Sequence, residues 1–205
     1  MEGVLRAAIF PLSTVLFPHG RLPLHVFEPR YRAMVADCLA GDGTFAVVLI
    51  ARGSEVGGGD ERLEVGTLAA LEAARALPDD RSLVLARGLY RVRVERWLAD
   101  DPYPRALVAP LPDDGDVDPG RLDRAEAAVR RCRALLSELT RAAPLPAGLG
   151  GAHEDVAWRL CTLAPLGPLD AQRLLEAPGW VPRLTLLAEL AEAAAEDYGR
   201  LLAGG

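Results

Sequence analysis

The sequence predicts an α+β protein in which a closed or half-closed β-barrel precedes a helical bundle. Up to about Pro112 the apolar residues alternate or form short β-branched runs, which is typical of strands. After the segment "PDDGDVDPG" they recur every three or four positions, which is typical of amphipathic helices. Many strands with one short helix favour a barrel. We therefore expect a barrel domain at 1–112 and a helical subdomain packed on it at 113–205.

The strands of the first half follow from short apolar stretches. "VLRAAIFPL" and "STVLFP" are runs interrupted by Pro11 and Pro18. "TFAVVLIA" is continuous and rich in β-branched residues, as expected of a strand buried on both faces. A glycine-rich loop at 53–61 precedes "EVGTLAALEAARAL", whose alanines leave a helix as the alternative to a strand, and the turn "PDDRS" follows.

The stretch "LYRVRVERW" alternates cleanly and is a predicted strand with Arg91 and Arg93 on one face. Such a basic strip can hold RNA or an acidic peptide. The alternative is an ordinary solvated sheet face. We favour the solvated face because the net charge of -6 opposes general affinity for a phosphate backbone. Nucleic acid is thus an unfavoured partner.

The second half contains predicted helices with apolar stripes. Asp118 is suited to cap the first of them, with Pro119 at its first position. The stripe of this helix comprises Leu122, Ala125, Val129, Cys132, Leu136 and Leu139. The stripe of the last helix comprises Trp180, Leu184, Leu187, Ala191, Ala194, Tyr198 and Leu201.

The composition excludes several kinds of enzyme. All 23 lysine-or-arginine positions are arginine, so the chain has no lysine. A Walker A loop, a Ser–Lys dyad and Schiff-base chemistry all require lysine, and arginine cannot replace it because it is never deprotonated in proteins. No HExxH, GxSxG or GxGxxG motif occurs either. We therefore expect no enzyme activity, no cofactor and no metal.

Cysteine usage and hydropathy bear on location. Cys38, Cys132 and Cys161 are odd in number and widely spaced, which indicates reduced thiols in a cytoplasmic protein. The start of the chain lacks the pattern of a signal peptide, and the densest apolar run, 45–51, is too short to span a bilayer. We expect a cytoplasmic protein without a membrane partner.

The stretch "LPLHVFEPRYRAM" changes from strand to helix within a few residues. Pro23 predicts an edge strand or a bulge, since proline cannot donate to the ladder. Pro29 is suited to start the helix, and Glu28 places a carboxylate at its positive end. Gly41 is expected to end it with a left-handed cap. The predicted buried face is Tyr31, Met34, Val35 and Cys38.

The chain resembles the N-terminal domain of Lon proteases. The stretch "FPLSTVLFPHGRLPLHVFEPRYRAMV" is similar to the opening of that domain, and "VGTLAAL", "LARGLYRVRV" and "DPYPRALV" are similar to its later strands. The resemblance implies a PUA-like β-barrel followed by helices, and recognition of polypeptide substrates. The residues expected to form the shared structural motif are Pro11, Pro18, Glu28, Pro29, Tyr31, Gly66, Gly88 and Arg91. The chain ends after this region, so we expect neither ATPase nor peptidase domains.

The leading functional hypothesis is a non-catalytic module that binds unfolded or extended polypeptide. Phe17, Pro23 and Phe27 would supply apolar contacts to the bound segment. Arg30 or Arg32 would meet its acidic groups. The alternative for Phe17 and Phe27 is a place in the core.

Three other functions stay open from the sequence. One is an RNA-binding PUA-like protein that uses Arg91 and Arg93, and another is an adaptor for a protein partner. The third is a small-molecule or hydrolytic enzyme in the barrel mouth, supported only by the general tendency of barrels to hold ligands. We also expect Glu28 to lie near an arginine, with Arg91 the first choice.

Overall fold

A computed structural model describes residues 3–53, 61–78, 80–140 and 143–204. The glycine-rich loop predicted at 53–61 lies largely outside these residues, as does Asp79 of the predicted turn. The chain folds as two compact units, Met1–Pro112 and Asp113–Gly205.

The first unit consists of strands and one helix between the second and third of them. In chain order its elements are β1 (Leu5–Leu12), β2 (Arg21–Val26), α1 (Pro29–Ala40), β3 (Thr44–Arg52), β4 (Glu61–Ala76), β5 (Ser82–Trp97) and β6 (Arg105–Pro110).

The strands close into a barrel, as the sequence predicts. Their order is β2-β5-β4-β3-β1-β6, and β6 also pairs with β5, which completes a ring of β1, β3, β4, β5 and β6. The β1–β3 pair is parallel and the other pairs are antiparallel. Strand β2 pairs with β5 alone and lies outside the ring. The edge position that Pro23 predicts for this strand is therefore confirmed.

Two apolar cores lie on opposite faces of the strands, because successive side chains of a strand point to opposite sides. One core contains Ile9, Ala46 and Val48 together with residues of β4, β5 and β6. The other contains Phe10, Phe45 and the buried face of α1. Strand β3 contributes to both cores, which confirms the prediction that "TFAVVLIA" is buried on both faces.

Helix α1 begins at Pro29 and buries the four predicted residues Tyr31, Met34, Val35 and Cys38. The expected left-handed cap at Gly41 is wrong, since its φ of -104° lies outside that region. Gly43, with φ of +74°, adopts the left-handed conformation instead. The left-handed residue thus lies two positions later than predicted, directly before the start of β3 at Thr44.

The alanine-rich segment after residue 60 forms strand β4 rather than a helix. It pairs with β3 on one side and with β5 on the other. Helix propensity amounts to a few tenths of a kcal/mol per residue, so two ladders of backbone hydrogen bonds and the apolar burial of the strand outweigh it.

Two glycines let backbones approach one another closely. A Cβ on Gly88 would lie 2.2 Å from the Phe17 carbonyl oxygen, and one on Gly66 would lie 2.3 Å from the Val47 carbonyl oxygen. Neither contact can be relieved by moving a flexible side chain. At both positions of the expected motif the fold therefore requires the absence of a side chain.

The second unit is helical, with α2 (Pro119–Leu139), α3 (His153–Leu163), α4 (Pro168–Glu176) and α5 (Trp180–Ala203). Asp118 caps α2 as predicted, because its carboxylate accepts a hydrogen bond from the Arg121 backbone N–H at 2.8 Å. The stripe of α2 is buried up to Cys132, whereas Leu139 is exposed. Among the described residues no helix is long and apolar enough to cross a membrane.

A fully buried arginine organises the start of α5. The Arg183 guanidinium lies 4.2 Å from the ring centre of Trp158 and 4.8 Å from that of Trp180. It pairs with Asp113 at 2.7 Å and donates to the carbonyls of Leu174 and Ala177. Burial lowers the pKa of this guanidinium, and the facing Asp113 carboxylate opposes that shift. Sequence reasoning missed this arginine, since a charge beside an apolar stripe gives no signal of burial.

Substituting Gly88→Ala should lower the free energy of unfolding by about 2–4 kcal/mol, because the new methyl group meets backbone rather than a movable side chain. Urea unfolding followed by circular dichroism measures the change. The control is Gly148→Ala, where a Cβ has nothing within 4 Å. Equal stability of the two variants would contradict the close approach at Gly88.

Candidate functional site

An apolar groove follows strand β2 and has a volume of about 310 Å³. We call it the β2 groove. One side of the groove is formed by residues 22–28, which comprise most of β2 and the two residues after it. The other side is formed by Phe10, Leu12, Thr14 and Tyr31. Phe10 and Tyr31 stack with ring centres 4.4 Å apart, which fixes both rings. The groove thus offers aromatic and aliphatic surface next to a strand.

Alternation along β2 places its side chains on two sides, as predicted. Leu24 and Val26 are buried, while Pro23, His25 and Phe27 are exposed. Phe27 is 50% exposed, and its ring centre lies 5.9 Å from that of His25. An exposed aromatic beside an apolar groove is a feature of binding surfaces.

A second depression, of about 420 Å³, lies where β2, β5 and β4 run side by side. We call it the outer patch. Pro23 pairs with Leu85 and His25 pairs with Leu83, so that the exposed positions of β2 continue onto β5. Ala73 pairs with Leu85 from the other side. Pro23, Leu24 and His25 line both the β2 groove and the outer patch.

The acid and the first arginine of the corner pair with each other. Arg30 Nε lies 3.1 Å from a Glu28 carboxylate oxygen, and the guanidinium stacks 4.5 Å from the ring centre of Tyr31. The expectation that Glu28 lies near an arginine is confirmed, but Arg91 as the first choice is wrong. Arg30 follows Glu28 by two residues across the first turn of the helix, so local geometry decides the partner.

Arg32 lies on another surface from Arg30. It pairs with Asp80 at 3.1 Å across a depression of about 560 Å³ between α1 and the segment that joins β4 to β5. Both arginines proposed to meet acidic groups of a polypeptide therefore have carboxylate partners within the chain. Glu28 and Tyr31 line the β2 groove, and neither arginine does.

Phe17 is a core residue and not an available contact. It is 4% exposed, and its carbonyl oxygen lies against Gly88. The segment before β2 crosses β5 at this point. Two hydrogen bonds hold the crossing: the His19 N–H donates to the Gly88 carbonyl, and the Gly88 N–H donates to the Gly20 carbonyl. The polypeptide-contact hypothesis for Phe17 is therefore wrong, and the alternative of a place in the core is correct. Pro11 and Pro18 are buried as well.

The proposed arginine strip on β5 does not exist as a surface. Arg91 is 2% exposed, and its Nη2 donates to the Pro112 carbonyl oxygen at 2.8 Å. The Leu111 N–H donates to the Arg91 carbonyl oxygen, so the chain after β6 covers this residue. Arg93 is exposed. The RNA alternative based on both residues is wrong because only Arg93 can reach a ligand.

The three buried cysteines are poor candidates for nucleophilic chemistry. Burial raises the pKa of the Cys38 thiol to about 11 and that of the Cys161 thiol to about 12, and it also raises the pKa of Cys132. Thiols with raised pKa values stay protonated at neutral pH and are poor nucleophiles. Within the described ranges no group of three or more His, Cys, Asp or Glu residues is placed to hold a metal ion.

Beside the strand an ion pair fixes the start of β2. Arg21 donates twice to the Glu72 carboxylate, with both distances 2.8 Å, and this hydrogen bonding lowers the pKa of Glu72. Both side chains contact solvent, so the pair contributes geometry more than stability. It joins the start of β2 to strand β4 across β5.

Sequence reasoning missed part of the β2 groove. Phe10, Leu12 and Thr14 precede β2 in the chain and form the side that faces it. Phe10 and Leu12 read only as alternating strand residues, and Thr14 gave no signal. The position of the first two results from the pairing of β1 with β3, a strand distant in the chain. No local pattern could have placed them beside Tyr31.

Comparison with protein families gives a match over most of the chain. The family described as the ATP-dependent protease La (LON) substrate-binding domain matches residues 6–193. A LON peptidase N-terminal domain and RING finger protein of Schizosaccharomyces pombe is 32% identical over 112 residues, which are 48% of this chain and 23% of that protein. Lon protease 2 of Herpetosiphon aurantiacus is 33% identical over 113 residues, covering 54% of this chain and 14% of the protease. The chain thus spans less than a quarter of either relative.

Solved structures agree with the fold. A Lon N-terminal domain protein from Xanthomonas campestris has 27% sequence identity and a TM-score of 0.66, with 91% of this chain and 98% of that chain covered. The N-terminal domain of a Mycobacterium avium complex Lon protease, at 15% identity and a TM-score of 0.62, has a similar fold over 91% of this chain and 98% of its own.

A structural role for Arg91 predicts that its removal lowers the free energy of unfolding much more than the removal of Arg93. Arg91→Ala should lower the free energy of unfolding by about 2–4 kcal/mol, because it removes a buried side chain and leaves the Pro112 carbonyl without this donor. Arg93→Ala, at an exposed position of the same strand, should change it by less than about 0.5 kcal/mol. Chemical unfolding measures both. Similar losses for the two variants would contradict the burial of Arg91.

Proposed function

Because the chain belongs to the LON substrate-binding domain family, we propose that its first unit binds unfolded or extended polypeptide and carries out no chemistry. The binding surface is the β2 groove together with the outer patch, and Pro23 and Phe27 supply its exposed apolar contacts.

The observation that carries this proposal is the position of an apolar groove beside a strand with a neighbour on one side only. Strand β2 pairs with β5 alone, and the β2 groove runs along the strand with Phe27 half exposed at its end. Folded proteins bury their apolar side chains, whereas unfolded segments expose them. A groove of this kind therefore selects for unfolded polypeptide.

The absence of chemistry is part of the same proposal. The 205 residues contain no lysine, and the described cysteines are buried thiols with raised pKa values. Arg30 and Arg32 have internal carboxylate partners, so apolar contact rather than charge pairing gives most of the affinity. The polypeptide is bound and released unchanged.

Equilibrium binding of an unfolded test protein examines the proposal directly. The probe is fluorescently labelled α-lactalbumin, reduced and carbamidomethylated so that it cannot refold, at a salt concentration that screens charge attraction. Saturable binding in the micromolar range is expected, and the native, disulfide-intact probe should bind much more weakly. Equal binding of the native and unfolded forms would refute the proposal.

Phe27→Ser should weaken this binding about fivefold, because the half-exposed ring contributes roughly 1 kcal/mol of apolar burial in the complex. The matched control is Tyr90→Ser, which removes an aromatic that is 40% exposed on β5 and lies outside the lining of both the β2 groove and the outer patch. Fluorescence anisotropy measures both affinities. An unchanged affinity for Phe27→Ser would remove this residue from the surface.

A further inference from the structure

The direction of the backbone groups of β2 follows from its register with β5. The Gly88 N–H donates to the Gly20 carbonyl, so this carbonyl faces β5. Gly20 and Gly88 continue the register in which Arg21 lies opposite Arg87. In an antiparallel pair, facing and outward positions alternate. The even-numbered residues of β2 therefore face β5, and the odd-numbered ones face away.

The turn between β4 and β5 shows independently which positions of β5 face β2. The Leu77 N–H donates to the Arg81 carbonyl, so the odd-numbered positions at this end of β5 face β4. Arg75 opposite Leu83 continues that register. The even-numbered positions of β5 are then left to face β2, in agreement with the pairing at Gly88.

The outward positions of β2 are Arg21, Pro23 and His25. All three offer a carbonyl, and Arg21 and His25 also offer an N–H, whereas proline has none. This explains why proline is tolerated inside a paired strand, since its missing donor is on the side away from β5. In the described part of the chain no backbone hydrogen bond to another segment satisfies these outward groups.

The β2 groove lies next to this edge, so an added strand would place its side chains on two different surfaces. Side chains on the same side as Leu24 would enter the groove against Leu12 and Tyr31. Side chains on the opposite side would lie over the outer patch, beside Pro23 and His25. The groove volume of about 310 Å³ is sufficient for side chains of a bound segment.

The charges near the groove complement an uncharged segment. Glu28 is the one acid or arginine among its described lining residues, and Arg30 pairs with it at 3.1 Å. A charged side chain entering the groove would lose hydration and find no opposite charge that is not already paired. An apolar side chain has no charge to dehydrate and would be removed from water in the groove.

We propose that polypeptide binds by adding a strand to the outer edge of β2, and that the preferred segment carries an apolar residue at every second position. This inference rests on the proposed function and specifies its mode of binding and its substrate class. The segment spans about the length of β2, which has six residues. Charged residues are tolerated only on the side that does not enter the groove.

The test uses a nonapeptide of alternating threonine and leucine, acetylated and amidated, in two methylated forms. One form carries N-methyl groups on all threonine amides and the other on all leucine amides. Only alternate amides of an added strand face β2, so one form should lose at least about tenfold in affinity for the full chain while the other stays within about threefold of the unmodified peptide. Isothermal titration calorimetry measures all three.

The results separate the binding mode from the function. If both methylated forms bind like the unmodified peptide, or both lose binding equally, strand addition is wrong although polypeptide binding stands. If the unmodified peptide does not bind while unfolded α-lactalbumin does, the alternating class is wrong. If neither probe binds, the proposed function fails as well.

A variant of the protein tests whether the peptide binds in the β2 groove. Thr14→Trp puts a large ring at an exposed position of the groove lining and should reduce peptide affinity at least about tenfold. Leu201→Trp, at a position of α5 that is 63% exposed and outside the groove lining, is the control and should leave it unchanged. Equal peptide affinities of the two variants would contradict binding in the β2 groove. Sedimentation of the protein as a dimer that Thr14→Trp dissociates would assign this edge to a second copy and overturn the proposal.

Discussion

Strand β5 is the element on which the first unit depends, because one strand of sixteen residues serves three neighbours. It pairs with β4 along most of its length, with β2 over its first part and with β6 over its last part. The backbone has only two hydrogen-bonding edges, so β2 and β6 must share one edge in succession. Barrel closure by β6 therefore leaves β2 outside the ring with a single neighbour.

The close approach at Gly88 lies between the part of β5 that pairs with β2 and the part that pairs with β6. The segment before β2 crosses β5 there with backbone against backbone, and no side chain fits between them. This crossing sets the register of β2, and the register sets which backbone groups of β2 face outward. A glycine outside the lining of the β2 groove thus determines which backbone groups the outer edge of β2 presents.

One buried arginine in each unit has a structural role. Arg91 and Arg183 are buried and donate to backbone carbonyls, and Arg183 also pairs with Asp113 and stacks on two tryptophans. Arginine suits such places, because its planar group can stack and donate several hydrogen bonds without losing its charge.

The sequence alone determined the change from strands to helices near residue 112, the buried face of α1, the edge position of Pro23 and the cap at Asp118, because each depends on local spacing or on the covalent structure of one residue. Only the tertiary structure decided that β4 is a strand, that Phe17 and Arg91 are buried, and that one side of the β2 groove comes from β1 and the residues after it. These features arise from pairings between segments distant in the chain. Local propensity is weak compared with the burial and hydrogen bonding that such pairings bring.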